Sequence, residues 1–78
     1  MIRKEKKLVI TFSTTTDAMA MEMVCKKKGA EGRIIPVPPT IHAGCGLAWC
    51  ARPESRDVLC EFMERNGIHP EGLWECLV

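Results

Sequence analysis

One of the five cysteines in this 78-residue chain, Cys45, stands between two glycines, Gly44 and Gly46. A thiol acts as nucleophile or sulfur acceptor through its thiolate. Its pKa near ~8.5 falls when positive charge, a helix N-terminus or converging N–H groups are close. Glycines on either side leave the backbone free to curl so that its N–H groups point at the sulfur. His42, three residues upstream, can supply a proton or a positive charge. These residue types suit attack on, or acceptance of, a sulfur atom. They equally suit a bend in which Cys45 is a small hydrophobe, and spacing alone leaves both readings open.

The other reactive side chains lead to weaker chemistry. Cys50 is a candidate resolving partner for Cys45, but an extended chain between them would separate the two by about 16 Å. A disulfide needs Cα atoms within ~7 Å. His42, Cys45 and Cys50 give H-x-x-C-x-x-x-x-C, which is not a usual zinc spacing, and His69 is remote, so no metal is expected. Cys25, Cys60 and Cys76 read as packed residues, with Cys60 on the flank of its helix. Arg33 and Arg52 flank the candidate loop in sequence and could attract an anion, although each also reads as a plain surface charge. Lys26-Lys27-Lys28 is either a docking patch for an acidic partner or a solvated helix end that suits the macrodipole. Trp49 and Trp74 could stack RNA bases. With two Phe, no Tyr and a formal charge of +1, the chain is better read as using them in a core or dimer contact, without nucleic acid.

The elements that must hold Cys45 follow from pattern. Lys7-Leu8-Val9-Ile10-Thr11-Phe12 is β-branched and apolar, and predicts a buried strand after a charged N-terminus frayed over residues 1–6. Ser13-Thr14-Thr15-Thr16 and Asp17 follow, and Thr14-x-x-Asp17 resembles a capping box with Asp in place of Glu. The helix it opens runs to Lys28 and stops at Gly29. Ala18, Ala20, Met21, Val24 and Cys25 form its core stripe, with Met19 and Met23 toward the flank. Residues 33–37 predict a second strand, which Pro36 pushes to a sheet edge. Pro38 and Pro39 make the next connection a loop, which carries Cys45. Residues 47–51 predict a third strand. A second helix starts at Pro53, ends at Asn66-Gly67 and turns Val58, Leu59, Phe62 and Met63 inward. Residues 72–78 predict a last strand with Trp74, Cys76 and Val78 as its inward face.

The order β-α-β-β-α-β, with right-handed crossovers, predicts an α/β (α+β) domain of ferredoxin-like plan. Four antiparallel strands in the order 4-1-3-2 would carry two helices on one face. In that plan Cys45 sits beside the end of strand one and the N-terminus of helix one. Ser13, Thr14, Thr15 and Thr16 then join Gly44, Gly46 and His42 as its supporting loop. A copper chaperone of this plan would place Cys-x-x-Cys in the first loop, where Ser13-Thr14-Thr15-Thr16 stands instead.

Length and composition set the outer bounds. A chain this short builds one domain (residues 1–78) with a modest core. An apolar share of 46% beside 27% charged residues is that of an ordinary globular chain rather than a disordered one. No apolar run approaches the ~20 residues that span a bilayer, and no signal-like segment follows the N-terminus. An odd cysteine number without an export signal predicts reduced thiols and a cytoplasmic protein with no membrane partner.

The residues at positions 10–22, then Gly32-Arg33-Ile34-Ile35-Pro36-Val37-Pro38, and above all Gly44-Cys45-Gly46-Leu47-Ala48, resemble the small bacterial and archaeal Se/S carrier protein-like family. Together they cover roughly residues 7–52 in the family's order. The resemblance implies a single-thiol carrier. Cys45 would hold sulfur or selenium as a persulfide or selenosulfide and pass it from a donor, such as a cysteine desulfurase, to an acceptor protein. It implies no metal or organic cofactor, and a relay rather than a turnover enzyme. Cys25, Cys50, Cys60 and Cys76 match no part of that motif. The competing expectation is a non-catalytic interaction or regulatory module in which Cys45 is structural. The bare face of the sheet could in either case pair two copies as a homodimer.

Overall fold

The computed structural model describes residues 5–41 and 46–77. Strand β1 (Lys6–Thr11) leads into helix α1 (Thr15–Lys28), and β2 (Arg33–Pro36) and β3 (Leu47–Ala51) follow. A 3-10 turn (Pro53–Ser55) precedes helix α2 (Arg56–Arg65), and β4 (Gly72–Leu77) closes the chain. The strands form one antiparallel sheet in the order β2-β3-β1-β4. Both inner strands are apolar: in β1 Leu8, Val9 and Ile10 are buried, and in β3 Ala48, Trp49, Cys50 and Ala51. Pro36 lies on edge strand β2, where its missing N–H breaks no ladder between inner strands.

Register assigns each face. Leu8 stands opposite Ala51, and Ile10 opposite Trp49. These four share one buried cluster with Phe12, with Ala18, Met21 and Cys25 of α1, and with Leu59 and Met63 of α2. Both helices therefore cover the same face. On the other face Val9 and Ala48 form a second cluster with Ile41, against which Ile35, Val37 and Cys76 pack. Ile41 comes from the β2–β3 connection. Val37 and Ile41 of it cover part of the face that the sequence leaves bare.

Helix α1 starts and stops where its sequence directs. Thr14 is extended (φ −134°, ψ 154°) and its Oγ1 accepts the Asp17 N–H at 3.2 Å. Gly29 closes the helix with φ 74°, and its N–H is returned to the Cys25 carbonyl. The next turn is fastened to β3. The Trp49 indole N–H donates to the Glu31 carbonyl at 3.1 Å, and the Glu31 carboxylate accepts the Arg52 backbone N–H and Nε at 3.2 Å. Gly32, at φ 123°, lets the chain pass over the indole. A Cβ there would lie 2.6 Å from the Cys50 carbonyl oxygen and closer still to the Trp49 ring nitrogen.

Four expectations need correction. The second helix does not begin at Pro53. Pro53 to Ser55 instead wind a tighter turn, in which Ser55 N–H donates to Arg52 O and Arg56 N–H to Pro53 O. Val58 is not inward: it is 70% exposed. At 100° per residue it lies about 140° from Met63, so a helix that seats Leu59 and Met63 on the sheet turns Val58 to solvent. The inward face of β4 is also reversed. Leu73 stands opposite Ile10 and packs on the helix-side core, whereas Trp74 and Cys76 stand opposite Val9 and Lys7 on the other face. The Glu71 N–H to Thr11 carbonyl bond, at 2.7 Å, leads into that register. With strand period two, it sends Trp74 and Cys76 together to the face away from the helices. Val78, also expected inward, lies outside the described residues. Lys6, expected to fray, is the first residue of β1, paired with Leu77.

Candidate functional site

The end of the sheet where β1 leaves for α1 carries those of the expected supporting residues that are described, Gly46 and Ser13 to Thr16. Thr11, the last residue of β1, stands opposite Ala48. Two residues before Ala48, Gly46 lies level with the exit of the chain into Ser13 and the α1 N-terminus. Gly46 is exposed with φ 76°, a conformation open to glycine and strained for a side chain, and its carbonyl accepts the Val37 N–H at 3.0 Å. Ser13, Thr14, Thr15 and Thr16 are all exposed here. The Thr14 hydroxyl is already committed to the helix cap. Cys45, Gly44 and His42 lie outside the described residues; Cys45 is joined to Gly46 by one peptide bond.

The same end carries a fixed aromatic. The Trp74 indole N–H donates to Thr11 Oγ1 at 3.0 Å, and Thr11 Oγ1 donates to the Gly72 carbonyl at 3.3 Å. Trp74 remains 44% exposed, so it is a half-open residue on the sheet face rather than part of the core. Trp49, by contrast, is a core residue.

The four other cysteines are free thiols held in packing positions. Cys25, from α1, is buried under the sheet, and burial alone pushes its thiol from the ordinary 9.0 up to about 11. Cys50 is buried on the opposite face, and burial raises its pKa too. The Arg33 and Lys7 cations act against that rise, and Glu31 and Cys76 add to it. Cys60 packs on the helix-side core and Cys76 on the second cluster, both half-buried. Because β3 is extended, Cys50 lies about 13 Å along the strand from Gly46.

Two arginines belong elsewhere. Arg33 stands opposite Cys50, near the far end of the sheet, where it lines a recess of about 330 Å³ with Lys7, Glu31, Gly32, Cys50 and Ala51. Arg52 leaves β3 at that end and is paired with Glu31 at 3.2 Å. Neither flanks the loop that their sequence positions suggest. The Glu31–Arg52 tie spans 21 residues, and no spacing rule signals it. Ile41 was the other miss. An isolated apolar residue in a proline-rich loop was its only signal. Among the described residues no group of three or more His, Cys, Asp or Glu is placed to hold a metal ion. No described helix is long and apolar enough to cross a membrane.

Against known protein families, residues 7–75 match the model described as "Putative Se/S carrier protein-like". The chain belongs to that family. The match extends beyond the loop and β1–α1 segments into α2 and most of β4, so the Se/S carrier-like domain takes in all four strands and both helices. No curated protein and no solved structure matches the chain.

Proposed function

We propose that this Se/S carrier-like domain is a single-thiol sulfur or selenium carrier of ferredoxin-like plan, with Cys45 as the attachment point. Membership of the family over residues 7–75 is the observation that carries the function. The observed strand order, read from β4, is 4-1-3-2, which supports the plan. The contrast among thiols supports the choice of residue. Cys25 and Cys50 are buried with raised pKa values, and Cys60 and Cys76 are half-buried in packing positions. Cys45 alone adjoins an exposed glycine at the hydroxyl-rich, helix-N-terminal end of the sheet.

The transfer needs little machinery. Cys45 thiolate attacks the outer sulfur of a donor persulfide. A new S–S bond forms at Cys45, the donor's own S–S bond breaks, and the donor thiolate leaves with the electron pair. The acceptor thiolate repeats the step on the Cys45 persulfide. No net oxidation occurs, and selenium follows the same course as a selenosulfide. The α1 N-terminus and the exposed hydroxyls of Ser13, Thr15 and Thr16 favour negative charge at this end of the molecule.

Intact-mass spectrometry tests this after incubation of the reduced protein with a cysteine desulfurase and cysteine. The wild type gains about 32 Da, one sulfur atom, and Cys45→Ser gains none. An adduct that survives in Cys45→Ser would show that another thiol is loaded.

A further inference from the structure

Helix α1 is apolar on both of its sides. Ala18, Met21 and Cys25 are buried against the sheet, yet Met19 and Met23, one turn apart, are 60% and 67% exposed and belong to neither buried cluster. At 100° per residue, Thr16, Met19, Met23, Lys26 and Lys27 fall within about 100° of one another, opposite the buried side. Helix α2 sets the contrast: apart from Val58, its exposed residues are the charged Arg56, Asp57, Glu61, Glu64 and Arg65. An ordinary surface helix carries polar residues where α1 carries methionine. Methionine side chains are flexible and polarizable, and suit surfaces that seat against a partner.

The stripe has direction and charge. It starts at the hydroxyl-rich end of the sheet, beside Gly46, and runs about 17 Å along α1 to Lys26, Lys27 and Lys28. Among the described residues none of these lysines forms an ion pair, and Glu22 is the exposed acidic residue of the helix. A second copy laid antiparallel on this face would set Lys26 and Lys27 against the N-terminal turn of its partner's helix, where the macrodipole is already positive. A partner of different surface, apolar at its centre and acidic at one rim, has the complementary charge.

Resting on the carrier function proposed above, we infer that the Met19–Met23 face of α1 docks the sulfur-donor protein through an apolar pocket with an acidic rim, which meets Lys26 and Lys27. The donor's persulfide is then presented at the sheet end where the stripe begins.

The test compares wild type with Met19→Glu/Met23→Glu and with Lys26→Gln/Lys27→Gln, all exposed positions. Each protein is loaded either by a cysteine desulfurase with cysteine or by inorganic polysulfide, which needs no docking. Desulfurase binding is measured separately by biolayer interferometry. The methionine variant should lose about tenfold or more in desulfurase-dependent loading and binding, with polysulfide loading unchanged. The lysine variant should bind more weakly at low salt and lose its salt dependence. Desulfurase loading unchanged in the methionine variant would overturn the docking face and leave the carrier function standing. Loss of loading from both donors would also overturn it, since the change would not be specific to docking. If neither donor loads the wild type, the carrier function fails, and binding decides the face alone. Binding lost in the methionine variant supports the face, and no binding by the wild type overturns it. Concentration-dependent self-association that the methionine change abolishes would assign the face to a second copy and overturn it as well.

Discussion

At pH 8 the thiols of the native protein should react at separable rates, and Cys25 sets a calculable floor. Raising its pKa from 9.0 to about 11 cuts the thiolate fraction from about 0.09 to about 0.001, roughly 90-fold. Higher basicity makes each remaining thiolate a better nucleophile. With a Brønsted coefficient of about 0.45, two units return roughly eightfold. Ionisation alone therefore slows Cys25 about tenfold against an unperturbed thiol. Its side chain is also 1% exposed, so reagent reaches it only through opening of the fold, which multiplies the delay. Cys50 should be the next slowest after Cys25, because burial raises its pKa while Arg33 and Lys7 oppose the rise. The assay is time-resolved alkylation with iodoacetamide, quenched and mapped by peptide mass spectrometry, with glutathione as the reference thiol. Cys45 should be consumed first and Cys25 last, and the five rates should converge in concentrated urea. Native Cys25 reacting within about threefold of glutathione would refute both the burial argument and the assignment of α1 to the sheet.

Two further outcomes follow from single residues. Because the folded state holds the Cys25 proton more tightly than the unfolded chain, the stabilisation from this group is complete below about pH 9. It is lost as pH rises through about 11, by on the order of 2–3 kcal/mol. Urea melts at pH 8, 9, 10 and 11 should show the stability gap between wild type and Cys25→Ala narrowing by that amount, and a constant gap would contradict it. Gly32→Ala should destabilise by about 3 kcal/mol or more, since it combines φ 123° with a Cβ lodged against the Trp49 indole and the Cys50 carbonyl. A thermal melt within a few degrees of wild type would show that the Glu31–Trp49 contact gives way easily.

Much of the fold is written locally. The β-branched run of β1, the Thr14-x-x-Asp17 cap, Gly29 after three lysines and the Pro36 edge each act within a few residues, and each is realised close to its expected place. The features that escaped depend on contacts between distant positions. Strand β4 alternates apolar residues on both faces, so its own sequence cannot choose a side. The bond from Glu71 to the Thr11 carbonyl and the indole bond from Trp74 to the Thr11 hydroxyl complete a choice that depends on β1, some sixty residues away. Ile41 looks like loop, yet it covers Val9 and Ala48 because the sheet has a second apolar patch to cover. The candidate site was legible as composition, a cysteine between glycines. Its surroundings were legible only through topology, which brings Gly46 level with the start of α1.

In the carrier function proposed above, a persulfide on Cys45 would face one chemical hazard, a second thiol within reach. A persulfide next to a second free thiol collapses: the neighbour attacks the inner sulfur, a disulfide closes and hydrosulfide leaves with the cargo. Cys50 is the thiol nearest in sequence to Cys45. It is fixed in β3, where its register against Val9 and Arg33 holds it about 13 Å along the strand from Gly46. Moving Cys50 toward Gly46 would require unpairing an inner strand that is laddered on both sides. Burial adds a second barrier, because it raises the Cys50 thiol's pKa against the opposing pull of the Arg33 and Lys7 cations. Holding Cys50 in an inner strand laddered on both sides keeps that thiol from moving toward Gly46. Loosening the strand should undo that protection, with release of hydrosulfide from loaded protein as the sign of it.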